Sequence, residues 1–351
     1  MSQTLCVAAA RHVDGVGSLS VVEQLIERLM AELQLSPRRL TIDPLSVDWH
    51  SPVDQDHFRS GCGPIEAIKV AYDLIASGEE GAVLIEGRDF LRSEYGSEQR
   101  RDAMSIYPDG PALTEAYDQL TQHYLTKNGL TISQFLQLRD LLFENHWRCF
   151  SAKTKGAKRP SAKWFESITE LFRGVDCANP VIDFDGKLLL CSRSVAADLR
   201  LPEDQLVTIV DVALGSVEGD GPAYADDIAR YQHLSSAVHT IETSLNTTVK
   251  SLFERGLLLD LYTCYPVVPI ACLRALGLAT TYAELLEFIE KNDITQTGGM
   301  NLARGAWNNP ALNGLVAMYE TLSNQRVDQR SHGLVHGNGG LGYRQGLVLM
   351  S

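Results

Sequence analysis

Residues 60–89 read SGCGPIEAIKVAYDLIASGEEGAVLIEGRD, in which a glycine-rich turn precedes an amphipathic stretch and then an apolar one. Four apolar residues recur at helical spacing: Ile65, Ile68, Ala71 and Ile75. This spacing predicts a helix over residues 65–76, and the run AVLIE predicts a buried strand at 82–86. The order of turn, helix and strand places Cys62 at the helix N-terminus and indicates an α/β protein.

The rest of the chain repeats this alternation of strands and helices. Strands are predicted at 4–10, 45–49, 181–191, 206–213 and 256–261, and helices at 21–35, 223–255, from Pro269 onward and at 310–322. A turn is expected at Asp185-Gly186, inside the strand at 181–191, and a hairpin with glycines at its tip at 332–351. Residues 95–175 are polar and mostly helical, which is typical of an inserted cap.

These elements divide the chain into two comparable α/β halves around one core. We expect the N-terminal half at 1–94, with its end at 176–205 after the cap at 95–175, and the C-terminal half at 206–351.

Composition limits the function. The 351 residues carry 31 basic and 44 acidic side chains, a net charge of −13, which argues against general nucleic-acid binding. No apolar run is long enough to cross a bilayer, and the N-terminus lacks signal-peptide features, so we expect a cytoplasmic protein. The seven cysteines form no C-x-x-C pair and no zinc spacing, which predicts free thiols and no metal site.

Residues 148–163, RCFSAKTKGAKRPSAK, hold six basic side chains and no acidic one. Such a stretch on an acidic protein could receive a phosphate-rich ligand, and a solvated, mobile loop is the alternative.

Cys62 is a candidate nucleophile. The glycines around it permit a tight turn and close approach of a ligand to the backbone. The positive end of the helix dipole would lower the pKa of the thiol and favour the thiolate, which exchanges acyl groups with thioesters. A buried cysteine near a turn is the alternative.

Several segments resemble the thiolase superfamily. Besides the turn at Cys62, these are DLYTCYPVVPIACLRALGL at 260–278, TGGMNLARGAWNNPALNGLVAMYETL at 297–322 and GLVHGNGGLGY at 333–343. They look like a sterol-carrier-type subfamily identified as thiolase-like acetyl-CoA acetyltransferases. The resemblance implies a five-layered α/β/α/β/α fold with a helical cap, a homodimer, and acyl transfer from acyl-CoA through an acyl-Cys62 thioester. Coenzyme A would enter as a thioester substrate, with no covalently bound cofactor.

Further residues could serve the site. His336 or His332 could act as the base, and the resemblance implies that His146 after Asn145 lies near the site. Asn308, Asn309 and Asn313 could donate hydrogen bonds to a thioester oxygen. The alternatives are a loop histidine on a glycine hairpin for His336 and His332, a capping or surface role for His146, and a helix cap for Asn309. Coenzyme A would contact glycines and basic residues: Gly298, Gly299, Gly339, Lys153, Lys155, Lys158 and Arg159. For the glycine run at 337–340 the alternative is a simple hairpin turn.

The chain also departs from the thiolase pattern. Residues 301–309 lack the G-H-P histidine of condensing thiolases, and the second thiolase cysteine is absent. Cys264 falls where thiolases have N-E-A-F or H-D-C-F, with Tyr262 and Thr263 in place of the polar pair. The alternative function is therefore a non-catalytic acyl-CoA-binding or scaffold subunit beside a second thiolase-like acyltransferase or a small OB-fold partner. A thioester hydrolase is a third possibility.

Overall fold

The computed structural model describes residues 3–45, 54–107, 110–329 and 331–351. Its strands are β1 (Thr4–Val13), β2 (Val16–Gly17), β3 (Arg38–Ile42), β4 (His57–Phe58), β5 (Ala82–Phe90), β6 (Asp183–Ser192), β7 (Val207–Ser216), β8 (Leu258–Asp260), β9 (Gly333–Gly339) and β10 (Arg344–Met350). The predicted strand at 45–49 lies, beyond Leu45, outside the described residues.

Twelve α-helices connect these strands in the described part of the chain. They are α1 (Ser20–Leu33), α2 (Gly63–Ser77), α3 (Ser97–Ala103), α4 (Leu113–Asn128), α5 (Ile132–Lys153), α6 (Arg193–Asp198), α7 (Ala225–Ile228), α8 (Gln232–Leu245), α9 (Val249–Glu254), α10 (Val267–Ala275), α11 (Tyr282–Lys291) and α12 (Pro310–Ser323). Each described helix is too short or too polar to span a bilayer.

The strand order shows two similar halves. The hydrogen-bonded path runs β4-β3-β5-β6-β1-β7-β10-β9-β8, with β2 paired to β1. In the first half β3 runs parallel to β5, and β5, β6 and β1 are antiparallel. In the second half β8 runs parallel to β9, and β9, β10 and β7 are antiparallel. The order β3-β5-β6-β1 is therefore repeated as β8-β9-β10-β7, and the halves join where β1 pairs β7.

The helices complete five layers. Helices α1 and α6 cover the outer face of β1, β5 and β6, where one core cluster lies. Helices α2 and α12 lie between the two groups of strands and form the central cluster. Helices α8 and α10, with cap helices α4 and α5, pack on the outer face of the second half. The layers follow α/β/α/β/α, so the predicted fold class is confirmed.

Paired glycines let each central helix dock on the opposite half. Gly337 of β9 pairs with Gly346 of β10, and a Cβ on Gly346 would lie 3.0 Å from the Cys62 Sγ at the start of α2. Gly87 of β5 pairs with Gly186 of β6, and a Cβ on Gly87 would overlap the side-chain oxygen of Asn309, which precedes α12. The absence of side chains at these strand positions thus makes room for the residue that directly precedes each helix.

Two local predictions are wrong. The expected long helix at 223–255 is broken into α7, α8 and α9, because Tyr231 and Asn246 adopt left-handed backbone conformations with φ of 48° and 50°. The expected turn at Asp185-Gly186 is instead continuous β6, which is hydrogen-bonded to β5 on one side and β1 on the other. At Gly186 the pairing with two neighbouring strands overrides the local turn pattern, whereas Asn246 ends α8 with a local cap and Thr248 starts α9.

Candidate functional site

A cavity of about 230 Å³ lies where the α2 N-terminus meets the β9–β10 turn, the segment after β8 and cap helix α4. Its wall includes side chains or backbone of Gly61, Met104, Leu113, Thr114, Tyr117, Tyr262, Cys264, Tyr265, Met300, Trp307, Asn338 and Gly340. Most of this surface is apolar or aromatic, with a few convergent polar groups. Both properties are typical of a small-molecule site.

Cys62 precedes α2 directly, so its predicted place at a helix N-terminus is confirmed. Its side chain is fully buried against the paired glycines of β9 and β10, and the cavity wall includes Gly61 but not Cys62. Burial raises the pKa of the Cys62 thiol well above its ordinary value, and nearby Glu66 raises it further while Arg344 lowers it. The expected lowering of this pKa by the helix dipole is therefore wrong, because desolvation is the larger effect.

Among the described residues, Cys264 is the cysteine that lines this cavity. Its Sγ donates to the Tyr117 hydroxyl oxygen at 3.4 Å. The Asn338 amide donates to the same oxygen at 3.0 Å, and the Tyr117 hydroxyl donates to the Gly340 carbonyl at 2.7 Å. Burial raises the pKa of Cys264 to about 12, so the resting thiol is protonated at neutral pH. Cys264 is a site residue that the sequence did not predict, although its segment resembles the thiolase N-E-A-F or H-D-C-F region.

His336 lies on the face of β9 opposite to Gly337 and Gly339, so the sheet separates its ring from Cys62. Its Nε2 donates to Gln345 Oε1 at 2.7 Å, and its Nδ1 accepts the Tyr262 amide at 3.4 Å. Gln345 in turn donates to Asn338 Oδ1 at 2.7 Å, which links the ring to the cavity wall. Burial lowers the pKa of His336 to about 4. The geometry excludes direct activation of Cys62 by His336.

His146 lies on α5 and is packed against Gly299. Neither ring nitrogen has a hydrogen-bond partner among the described residues, and burial lowers the pKa to about 4. Together with Asn301 the ring borders a void of about 10 Å³. That volume suits a single water molecule.

Gly298 and Gly299 form a turn with φ of 96° and 84° against the cap helix α5. A Cβ on Gly298 would lie 2.8 Å from the Phe150 Cα, and one on Gly299 would lie 2.9 Å from the His146 ring. Buried Asp260 fixes this turn by accepting the backbone amides of Gln296 and Thr297 at 2.7 and 3.0 Å. The structure therefore gives both glycines a packing role, and their contact with coenzyme A stays a prediction.

Asn308 and Asn309 lie where the two halves of the protein contact each other. Asn308 accepts the Ser60 amide at 2.9 Å and donates to the Asp43 carbonyl at 2.8 Å, which holds the turn before α2. Asn309 is fully buried over Gly87, and its side-chain atoms have no hydrogen-bond partner among the described residues. It makes no side-chain cap bond to α12. Gly339 lies against Ser60, whereas its neighbour Gly340 meets the cavity.

The basic stretch is only partly free for a ligand. Lys153 donates to Gln296, Arg148 pairs with Asp293, and Arg159 pairs with Glu144. Lys155 is exposed. Lys158 borders a second cavity of about 260 Å³.

This second cavity adjoins the first. Trp164 and Arg304 also line it, and Asn179 and Asn301 contribute to its wall beside Ala178, Pro180 and Met300 of the first cavity. An aromatic ring beside two cations is a suitable surface for a phosphate-bearing base.

The fold is that of thiolases. A monomeric SCP2-thiolase-like protein type 1 from Mycobacterium smegmatis superposes with a TM-score of 0.70 and 17% identity, covering 99% of this chain and 77% of that one. The Acat5 thiolase from Ascaris suum, in complex with coenzyme A, gives 0.63 and 12%, covering 99% of both chains. The Ltp2-ChsH2(DUF35) aldolase gives 0.66 and 17%, covering 99% and 97%. No protein-family model and no curated protein matches the chain in sequence.

Proposed function

We propose that this chain binds acyl-CoA thioesters, with the acyl group in the cavity beside Gly61 and Cys264 and the coenzyme A phosphates near Lys158 and Arg304. The observation that carries this proposal is the pair of adjoining cavities, one largely apolar and one lined by cations and Trp164. Apolar acyl groups favour the first environment and phosphate oxygens the second. The Ascaris suum thiolase of the same fold was solved with coenzyme A, which supports the choice of ligand.

The resting site favours binding over covalent chemistry at Cys62. Its thiol is sealed from the cavity, and burial raises its pKa. His336 and His146 are neutral, with pKa values of about 4, and neither contacts a cavity thiol. A general base for thiol activation needs a hydrogen-bond path to the thiol. This arrangement agrees with a binding or scaffold subunit.

Acyl transfer through Cys264 is the second candidate, because this thiol lines the cavity. In this step the Cys264 sulfur forms a bond to the thioester carbonyl carbon, the bond from that carbon to the coenzyme A sulfur breaks, and the thiol proton passes to the released coenzyme A. The Asn338 amide and the Tyr117 hydroxyl lie beside the sulfur and would orient it.

Partner proteins belong to the same proposal. The Ltp2-ChsH2(DUF35) aldolase contains a DUF35 component, which supports a small partner protein such as an OB-fold subunit for this chain. The Mycobacterium smegmatis protein is described as monomeric, whereas the thiolase resemblance implies a homodimer. Light scattering on the purified chain would distinguish these two states.

Titration calorimetry and intact-protein mass spectrometry with acetyl-CoA and butyryl-CoA test the function. The binding proposal expects saturable heat with no mass increase. A mass increase that Cys264→Ser removes and Cys62→Ser leaves would establish acyl transfer through Cys264. A mass increase lost only in Cys62→Ser would overturn the placement of the acyl group. Absence of binding by both thioesters would overturn the proposed function.

A further inference from the structure

A chain of buried side-chain hydrogen bonds runs from the β9–β10 hairpin to the Cys264 sulfur. Gln345 of β10 is fully buried and lies directly opposite Asn338 of β9 in the strand register. Its Nε2 donates to Asn338 Oδ1 at 2.7 Å. The Asn338 Nδ2 donates to the Tyr117 hydroxyl oxygen at 3.0 Å and lies 4.0 Å from the Cys264 Sγ. The two amides therefore connect the strand pair to the thiol on the cavity wall.

Two backbone groups fix the direction of the bonds in this chain. The Gln345 Nε2 also donates to the Gly342 carbonyl at 3.0 Å, and because a carbonyl only accepts, the Gln345 Oε1 must face His336. The His336 Nδ1 accepts the Tyr262 backbone amide at 3.4 Å, so Nε2 carries the proton that Gln345 Oε1 accepts at 2.7 Å. With Gln345 held in this orientation, Asn338 must direct its N–H groups toward the cavity wall.

The Cys264 sulfur has neutral neighbours. Among the described residues, no Lys, Arg, His, Asp or Glu side chain lines this cavity. A thiolate on Cys264 must therefore be stabilised by hydrogen-bond donors, and the Tyr117 hydroxyl and the Asn338 amide lie beside the sulfur. Burial raises the pKa of Cys264 to about 12, and among the effects that lower this pKa the hydrogen bond with Tyr117 is the largest.

The titratable side chains near the sulfur keep their protons at neutral pH, because burial raises the pKa of each of them: Tyr117, Tyr231, Tyr262, Tyr265 and Cys177. A change in the reactivity of Cys264 near neutral pH therefore reports on hydrogen bonding rather than on the titration of these neighbours.

We propose that Gln345 and His336 are positioning residues for the Cys264 thiol. Neither side chain lines the cavity, and both act by fixing the Asn338 amide, which in turn holds the Tyr117 hydroxyl beside the sulfur. During acyl transfer the sulfur bonds to the thioester carbon and its proton passes to the released coenzyme A. Donors held beside the sulfur stabilise the negative charge that develops as the proton leaves. The inference rests on the second candidate function and deepens it.

Alkylation of Cys264 by iodoacetamide between pH 7 and 10, followed by peptide mapping, tests the inference without any thioester. Gln345→Met removes the amide at a similar side-chain volume and should slow labelling about three- to tenfold, the typical effect of one lost hydrogen bond. His336→Gln keeps an N–H donor near the position of Nε2 and should label at the wild-type rate, whereas His336→Leu should be slower. His239→Leu, at an exposed position on α8, is the matched control and should leave the rate unchanged.

Loss of folding gives the opposite sign, because an unfolded chain exposes Cys264 and labels faster than the wild-type chain. Equal labelling of Gln345→Met and the wild-type chain would overturn the inference. If His336→Gln is as slow as His336→Leu, the ring acts as a base and its positioning role is wrong.

Nitrogen NMR of the His336 ring provides a second measurement. We expect the tautomer with the proton on Nε2, and a proton on Nδ1 would overturn the direction of the hydrogen-bond chain. Labelling rates as expected, together with no binding of acetyl-CoA in calorimetry, would support the positioning of the thiol and overturn the proposed function.

Discussion

The hydroxyl of Tyr262 lies so close to the Cα of Gly61 that a methyl group on Gly61 would overlap it. The Asn338 carbonyl occupies the same space from the other side. We expect Gly61→Ala to destabilise the fold by about 1–3 kcal/mol, the usual effect of overpacking, and to displace Tyr262 into the cavity. Thermal unfolding and acyl-CoA titration measure both effects.

Gly96→Ala is the control for this prediction. A Cβ at Gly96 would meet no atom within 4 Å, and its φ of −67° suits alanine. The melting temperature should change little. If Gly61→Ala unfolds at the same temperature as Gly96→Ala and binds ligand as well, the close contact between Tyr262 and position 61 is wrong.

The two central thiols should differ in reactivity. Cys264 lines the cavity, while Cys62 is fully buried. Alkylation by iodoacetamide should label Cys264 before Cys62, and acyl-CoA should protect Cys264. With a pKa of about 12, Cys264 should react roughly a thousandfold more slowly at pH 7 than a thiol of pKa 9, and its rate should rise about tenfold per pH unit up to pH 10.

Peptide mapping by mass spectrometry follows both sites. The half-buried Cys177 serves as an internal reference outside the cavity, because acyl-CoA should leave its labelling unchanged. Faster labelling of Cys62 than of Cys264 in the folded protein would contradict the geometry.

Lowering the pH should reduce the free energy of unfolding, because two buried histidines take up protons more readily in the unfolded chain. His336 and His146 have pKa values of about 4, below the ordinary value of 6.5. The unfolded chain therefore binds more protons between pH 6.5 and 4, and stability falls as pH falls through this window. Each ring should contribute a loss of about 2 kcal/mol between pH 7 and 5. Asp89 opposes this trend, because burial raises its pKa to about 6.

Urea unfolding at pH 7 and pH 5 measures the effect, and comparison with a variant isolates a single ring. His146→Leu should reduce the loss between the two pH values by about 2 kcal/mol, because leucine does not titrate. His239→Gln, at an exposed position on α8, should behave like the wild-type chain. An unchanged pH dependence in His146→Leu would show that this ring is protonated in the folded state.

Affinity for coenzyme A should depend on two cations of the second cavity. Lys158→Ala and Arg304→Ala should each weaken binding about threefold to tenfold and flatten its salt dependence, because each loses a phosphate contact. Arg159→Ala should have a smaller effect, since Arg159 pairs closely with Glu144, whereas the contact of Arg304 with Asp14 is longer, at 3.6 Å. Titration at two ionic strengths provides the measurement, and equal losses at Lys158 and Arg159 would contradict the second cavity as the phosphate site.

The fold could be read from the sequence wherever local pattern and tertiary environment agree. The helix after Cys62 and the hairpin at 332–351 have strong periodicity or turn chemistry, and both form as predicted. The break at Asn246 carries a local signal that the prediction missed, because asparagine tolerates the left-handed conformation and Thr248 caps the next helix. The break at Tyr231 carries no such signal. Gly186 looked like a turn residue because its partner Gly87 lies almost a hundred residues away in sequence.

The candidate site was harder to predict, because it depends on the direction of single side chains. The glycine-rich turn predicts that both Gly61 and Cys62 lie at a helix N-terminus. The backbone dihedral angles of that turn decide which of the two residues lines the cavity. His336 and Gly337 are neighbours in β9 and face opposite sides. Sequence spacing finds such positions within a residue or two, and that is too coarse to assign a nucleophile.

The reciprocal docking of α2 on Gly337–Gly346 and of α12 on Gly87–Gly186 makes folding of the two halves interdependent. A polypeptide ending near residue 205 would expose the apolar surface of α2, and the remaining fragment would expose that of α12. Neither fragment could exclude water from its glycine-lined face by itself. Co-expressed fragments should therefore reassemble by complementation, and the intact chain should unfold in one cooperative transition without a half-folded intermediate.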